Sequence, residues 1–273
     1  MREMHGASLV ALLAPTLGYV APSSGLVLRL LRTHRSLCAL QMADGSDYDM
    51  RVNPCSVLLF DFDAMVPGQR FTLPCPGSFA EICRTVSQNA ATLCMVGRHR
   101  LTLHSHGVEV TVESISEEGS DGDATVILKA RRFCQILDAG TDQGSRWLGR
   151  DATVRWVGLE AEEEPTAEEL ELSASLGPLV EQWIDLVRST ERERVPGQLE
   201  GVLSDLGPMP PTARPNARAL WVAGLVNPLP ALGVALEIRP HALMAETAQA
   251  RLTAAAFGLK DSIRRMGSSG PLF

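Results

Sequence analysis

The stretch Gly107-Val-Glu-Val-Thr-Val-Glu113 has the strict two-residue period of a β-strand with one buried face. Val108, Val110 and Val112 would point toward a core, whereas the residues between them would point toward water. A helix would spread these valines around its circumference, so the pattern favours a strand. We therefore take this segment as the centre of a β-rich half of the chain.

Other short strands are predicted on both sides of this segment. Their apolar or alternating sequences lie at 56–63, 70–73, 92–96, 124–128, 132–137 and 152–157. Residues 117–123 would connect a hairpin, and Pro67-Gly68 predicts a turn because proline presets φ and glycine tolerates a positive φ. One helix would begin with the capping box Ser78-Phe-Ala-Glu81 and end near Asn89. Six or seven short strands with one helix indicate a closed or half-closed barrel.

The period changes to that of a helix after residue 164. Thr166-Ala-Glu-Glu169 is another capping box, and the apolar stripe over 176–187 predicts the first helix. Two more helices are predicted, a short one at 217–226 and a long final one at 241–266. Pro228 and Pro230 would separate them, together with a brief segment at 232–236.

Residues 1–42 have the composition of a removable targeting leader. The apolar run Ala7-Ser-Leu-Val-Ala-Leu-Leu-Ala14 is too short to span a membrane comfortably, and an acid-free, arginine-bearing run follows it up to Met42. Gly18-Tyr-Val-Ala-Pro22 is similar to the cleavage region of the bipartite leaders of algae with complex plastids. We predict a plastid location; a mitochondrial presequence, a secretory signal or an internal start at Met42 are the alternatives.

These observations divide the chain into four parts. We predict a leader over 1–42, a β-rich domain over 43–164, a helical subdomain over 165–266 and a flexible tail over 267–273. No membrane span is expected in the mature chain.

The charge balance argues against nucleic acid as a partner. Removing Glu3 and the four arginines of the leader leaves 31 of the 32 acidic and 21 of the 25 basic residues, a net charge of −10. Broad binding to a phosphate backbone needs clustered cations. The two short basic clusters, Arg98-His-Arg100 and Lys129-Ala-Arg-Arg132, are interpreted as solvated strand ends.

The sequence contains no recognisable catalytic set. Its only lysines are Lys129 and Lys260, and neither follows glycine as a P-loop requires. Lys260 and Ser262 are two residues apart on a predicted helix, so they would face different ways. Neither G-x-S-x-G nor H-E-x-x-H occurs. We therefore predict that this chain is not an enzyme and name no catalytic residue.

No metal or cofactor site is predicted either. His104 and His106 could share one strand face, but they are interpreted as ordinary strand-edge residues. The seven acids between Glu160 and Glu171 suit a solvated helix start, where the helix dipole favours negative charge. The cysteines lack C-x-x-C spacing and lie among apolar residues, so they are predicted to be small core residues.

The order of these motifs over residues 54–160 resembles the Lon protease N-terminal domain, a PUA-like β fold. Pro67-Gly-Gln-Arg-Phe-Thr-Leu73 is similar to the turn and strand of that family, and Lys129-Ala-Arg-Arg-Phe133 is similar to its Gly-x-x-Arg-Phe hairpin. Val154-Arg-Trp-Val157 resembles the strand before its acidic loop. Pro74-Cys-Pro-Gly-Ser-Phe79 departs from it, because it replaces the family's Arg-Ile-Phe-Glu-x-Arg-Tyr segment. The helical half, with Leu220-Trp-Val-Ala-Gly-Leu225, resembles the extension of cyanobacterial and plastid Lon-domain proteins.

The resemblance implies an α+β protein, with a PUA-like β-barrel-type Lon N-terminal domain followed by a C-terminal helical bundle. It also implies a non-catalytic, proteolysis-related module that binds an unfolded polypeptide or a protein partner and serves organelle protein quality control. A scaffold subunit of a plastid complex and an RNA-binding PUA-like protein are the alternatives. No binding residues are predicted, because a fold does not define a site.

Overall fold

The computed structural model describes residues 52–61, 65–88, 93–99, 102–117, 123–138, 148–157, 164–232 and 234–268. The predicted targeting leader lies outside these residues. The strands are β1 (Val52–Asp61), β2 (Arg70–Pro76), β3 (Leu93–His99), β4 (Thr102–Glu117), β5 (Asp123–Asp138) and β6 (Leu148–Val157). The helices are α1 (Gly77–Gln88), α2 (Ala167–Ser189), α3 (Gln198–Leu206), α4 (Pro215–Val226), α5 (Arg239–Met244) and α6 (Ala248–Ser268).

The six strands form one curled sheet in the order β2-β5-β4-β3-β1-β6. Neighbouring strands are antiparallel except for β1 and β3, which are parallel. An additional pairing of β5 with β6 closes a ring of five strands and leaves β2 outside it. Of the closed and half-closed barrels that the sequence predicted, the pairing of five strands in a ring therefore matches the closed one. That the barrel is PUA-like stays a prediction.

The two strands predicted at 124–128 and 132–137 form a single strand, β5. The prediction was wrong because Arg131 and Arg132 are both exposed and break the alternation. A register shift between β4 and β5 explains why both arginines are exposed. Val108 pairs with Phe133 and Val110 pairs with Ala130, so Arg131 and Arg132 of β5 lie opposite one residue of β4. The bulge bends β5, whose first half pairs with β2 and whose second half pairs with β6.

The long final helix predicted at 241–266 is two helices, α5 and α6. Ala245 adopts an extended conformation after α5. The side chain of Thr247 then accepts a hydrogen bond of 3.1 Å from the amide of Ala250, as an N-cap residue does. Apolar periodicity continues across this break, which is why the pattern did not reveal it.

The capping box at the start of α2 is confirmed. The amide of Glu169 donates to the hydroxyl of Thr166 at 3.2 Å, and the Glu169 carboxylate accepts from the Thr166 amide at 2.9 Å. At α1 the helix begins at Gly77, so Ser78 lies inside the first turn instead of preceding it. None of the described helices is long and apolar enough to cross a membrane.

Helix α4 is the centre of the helical half, because every residue from Ala219 to Val226 is buried. The barrel and the helices share one apolar core that includes residues of both. They approach closely at Gly224, where an added Cβ would lie 2.9 Å from Leu206 and 3.1 Å from Val66. A larger residue at this position would push the barrel turn away from α4.

Candidate functional site

Most of the loop between α4 and α5 is one apolar segment, flanked by Asn227 and Glu237. Its sequence is Pro228-Leu-Pro-Ala-Leu-Gly-Val-Ala-Leu236, which contains no side chain that can form a hydrogen bond. Pro230 and Ala231 are exposed, and Leu236 is 40% exposed. Surface loops ordinarily carry polar side chains, and a run of exposed apolar residues often marks a contact with another molecule. This loop is therefore the leading candidate for a binding site.

A second, shorter apolar segment lies beside the first, at the end of the otherwise charged connection between α2 and α3. Val195, between α2 and α3, is 57% exposed, and Pro196 next to it is also exposed. Gln198 joins the two loops, since its amide side chain donates to the carbonyl of Pro230 at 2.8 Å and its backbone amide donates to Val195 at 3.2 Å. We call five exposed apolar side chains of the two loops the apolar loop surface: Val195, Pro196, Pro230, Ala231 and Leu236.

Asn227 holds the two ends of the longer loop together. Its Nδ2 donates to the carbonyl of Leu236 at 2.9 Å, and its Oδ1 accepts from the amide of Ile238 at 2.8 Å. Asn227 is buried, so these hydrogen bonds are shielded from water. A loop closed in this way loses little conformational entropy when a ligand binds.

The barrel reaches the base of the loop through Gln69. Its Nε2 donates to the carbonyls of Asn227 at 2.8 Å and Gly224 at 3.2 Å, while its Oε1 accepts from the amide of Val66 at 2.9 Å. The side chain is buried and both protons of the amide are used. The Pro67-Gly68 turn therefore positions the apolar loop from the opposite half of the protein.

Acidic groups next to the apolar loop surface already have partners. The carboxylate of Glu193 accepts from the amides of Gly197 and Leu199, and so caps the start of α3. Glu237 forms an ion pair with the buried Arg239. The surface consequently presents apolar side chains, with the exposed Arg194 at its border beside Val195.

Two cations of the basic cluster at 129–132, Lys129 and Arg132, are engaged within the protein. Lys129 Nζ donates to the carbonyl of Asp205 at 2.6 Å. Arg132 pairs with Glu109 at 2.8 Å, and its guanidinium lies 4.1 Å from the ring centroid of Trp156. Arg131 and Arg132 are exposed, but the cluster lies in the middle of β5 and not at a strand end, so the interpretation as solvated strand ends was wrong in its position. The side chains of Arg98, His99 and Arg100 lie outside the described residues.

His104 and His106 are half-buried on β4, an inner strand of the sheet, and are not the strand-edge residues that were predicted. Within the described ranges, no three or more His, Cys, Asp or Glu side chains come together to hold a metal ion. The His106 ring lies 3.0 Å from the hydroxyl of Ser105 and 5.9 Å from the ring centroid of Phe133. Burial lowers the pKa of His106, Arg251 lowers it further, and Glu246 opposes both effects.

The remaining sequence candidates are structural. Ser262 is buried and accepts a hydrogen bond of 2.8 Å from the Trp183 indole, whereas Lys260 is exposed, so the two do not form a dyad. Cys94 and Cys134 are buried thiols with sulfur atoms 3.8 Å apart. Burial raises the pKa of Cys83 to about 12. These three cysteines are core residues, as predicted.

The outer edge of β2 is poorly suited to binding a strand. The amide of Ala130 donates to the carbonyl of Gln69, so this carbonyl points toward β5. Because the direction of the backbone groups alternates along a strand, those of residues 70, 72, 74 and 76 point away from β5. Residues 74 and 76 are prolines, which have no N–H to donate. The Pro74-Cys-Pro76 departure noted in the sequence thus protects a sheet edge.

Comparisons with known proteins identify the fold. No family model matches the sequence, and no curated protein matches it at the threshold used. Among solved structures, the N-terminal domain of the Mycobacterium avium complex Lon protease matches with a TM-score of 0.52 and 16% identity, over 77% of this chain and 99% of that one. A Lon N-terminal domain protein from Xanthomonas campestris is also found, with a TM-score of 0.36 and 18% identity over 54% of this chain and 89% of that one.

A curled, largely antiparallel sheet joined to helices is thus a fold already seen in solved structures. The described part of the chain has the Lon N-terminal domain fold, as the motif order predicted. Sequence reasoning missed the apolar loop surface, because residues 228–236 were interpreted only as a spacer between helices. The signal was available: nine consecutive residues without a polar side chain are unusual in a loop.

Proposed function

We propose that this chain is a non-catalytic protein-binding module of the Lon N-terminal type, which holds apolar segments of unfolded polypeptides. The observation that carries the proposal is the apolar loop surface on a protein with this fold. The loop over 228–236 offers no side-chain hydrogen bond, so it would recognise apolar character and tolerate many sequences. Such tolerance is what a receptor for unfolded chains needs.

The finer parts of the proposal concern where the module acts. The arginine-bearing leader supports a plastid, and a quality-control role there would pair this chain with a separate protease or chaperone. A scaffold subunit is the main alternative, because an exposed apolar surface also suits one fixed partner. RNA binding is less favoured, since the net charge is negative and Lys129 and Arg132 are engaged within the protein.

The test is fluorescence anisotropy of the full chain with a labelled polypeptide kept unfolded by reduction and carboxamidomethylation, with a folded protein as control. Leu236→Ser should weaken binding by roughly 1–2 kcal/mol, about five- to thirtyfold, because it removes an exposed apolar side chain from the contact. The matched control is Leu137→Ser, since Leu137 is 39% and Leu236 is 40% exposed.

The outcomes separate the candidate functions. Binding that resists added salt and falls only in the Leu236 variant supports the proposal. Equal losses in both variants would mean non-specific adhesion, and binding of a single protein from an organelle extract without affinity for unfolded chains would select the scaffold function. Affinity for RNA that falls steeply with salt would support the RNA-binding alternative.

A further inference from the structure

The outer face of α6 carries a stripe that the fold does not use. Ala250, Thr253, Phe257, Lys260 and Arg264 are exposed and recur at spacings of three and four, so they lie along one side of the helix. We call these five residues the α6 stripe. Phe257 is 57% exposed and is the only aromatic among the large apolar side chains exposed in the described ranges.

The charge of the α6 stripe is opposite to that of the chain. Asp261 is the only acidic residue of α6, and it is buried beneath ion pairs with Arg264 at 2.5 Å and Arg265 at 2.6 Å. Lys260 adds a further exposed cation one turn from Phe257. A local surplus of positive charge thus surrounds an exposed aromatic ring on a chain whose net charge is −7.

Helix stability explains only part of this pattern. Cations near the last turn of a helix interact favourably with its dipole, which accounts for Arg264 and Arg265. The dipole gives no reason to expose Phe257, since alanine at that position would favour the helix more and leave less apolar surface in water. Thr253 and Ala254 lie one turn before the ring on the helix, and their small side chains leave room for another chain to approach.

We propose that the α6 stripe is a second protein-binding surface, whose partner is an amphipathic helix with carboxylates beside its apolar side chains. Phe257 would pack between the apolar side chains of that helix. Lys260 and Arg264 would lie next to its carboxylates, so that charge complementarity sets the orientation of the partner. This proposal is independent of the apolar loop surface, which lies on other elements and contains no aromatic side chain.

The probe is a labelled amphipathic peptide as long as α6, built from leucine, alanine and glutamate, and its counterpart with lysine at every glutamate position. The full chain should bind the acidic peptide saturably and discriminate against the basic one. Phe257→Ser should weaken binding of the acidic peptide at least about tenfold, because the apolar contact is lost. Lys260→Glu should weaken it roughly fivefold and strengthen binding of the basic peptide, because attraction becomes repulsion.

Leu137→Ser is the control for loss of an exposed apolar side chain outside both proposed surfaces, since Leu137 is 39% exposed. It should leave peptide binding unchanged, and Leu236→Ser should leave the preference for the acidic over the basic peptide unchanged, which separates this proposal from the proposed function. Equal affinity for both peptides, no saturable binding of the acidic one, or unchanged binding by both stripe variants would overturn the proposal. Thermal unfolding of each variant checks its fold, and Lys260→Gln provides a milder substitution.

Discussion

Replacing Gln69 with methionine should destabilise the protein far more than a single side-chain hydrogen bond would suggest. The change keeps the length of the side chain but removes its contacts with the amide of Val66 and the carbonyls of Gly224 and Asn227. A buried backbone group left without a partner costs about 1–3 kcal/mol, and some will be recovered by water or by relaxation. We expect a loss of roughly 2–4 kcal/mol, a large part of the 5–15 kcal/mol typical of a folded protein.

Urea denaturation followed by tryptophan fluorescence measures this loss. The matched control is Gln249→Met, because Gln249 is exposed and its side chain reaches only the carboxylate of Glu168. That variant should lose less than about 0.5 kcal/mol. Hydrogen exchange at Ile238 should also accelerate in the Gln69 variant, since its amide depends on Asn227. A change at Gln69 below about 1 kcal/mol would show that the barrel does not hold the loop in this way.

Three further predictions concern single residues. Gly107→Ala should lower the free energy of unfolding by about 2 kcal/mol or more, because a Cβ there would lie 2.5 Å from the carbonyl oxygen of Met95; an unchanged melting temperature would contradict this. The pKa of His106 is lower in the folded state than in the unfolded state. The stabilisation is therefore complete above the unfolded pKa of about 6.5 and is lost as the pH falls toward the folded pKa. His106→Gln, with Arg251 still in place, should flatten this pH dependence of the free energy of unfolding in urea titrations. Cys83, with its pKa raised to about 12, should resist alkylation in the native protein and react once urea unfolds it, which mass spectrometry of labelled peptides would detect.

The strands were predictable where alternation was clean and less so where the chain bends. Gly107–Glu113 fell within β4, and its predicted inward valines Val108 and Val110 are buried. The bulge in β5 could not be read locally, because the exposure of Arg131 and Arg132 depends on the register with β4. The break between α5 and α6 depends on Thr247, which caps α6 within a segment whose apolar residues keep a helical spacing. An argument from periodicity alone takes no account of such a cap.

The candidate site was harder to predict than the fold. Leu236 and Val195 are 41 positions apart in numbering, and nothing local indicates that their loops are neighbours. Gln198 and Asn227 look like ordinary polar residues in the sequence, yet they are buried and hold the loops in place. Buried amides of this kind acquire their role only when the groups they bind are brought within hydrogen-bond distance.

The sequence by itself determined the β-rich and helical halves, the start of α2 at Thr166 and the motif order that resembles the Lon N-terminal domain. These features depend on residues near one another in the chain, through period, capping and turn chemistry. Tertiary structure alone decided that β5 pairs with β2 and β6 in turn, and that Gln69 holds Asn227, at the base of an apolar loop, 158 residues away. The physical reason is that ladder registers and buried hydrogen bonds join distant segments, and their geometry exists only after the core has packed.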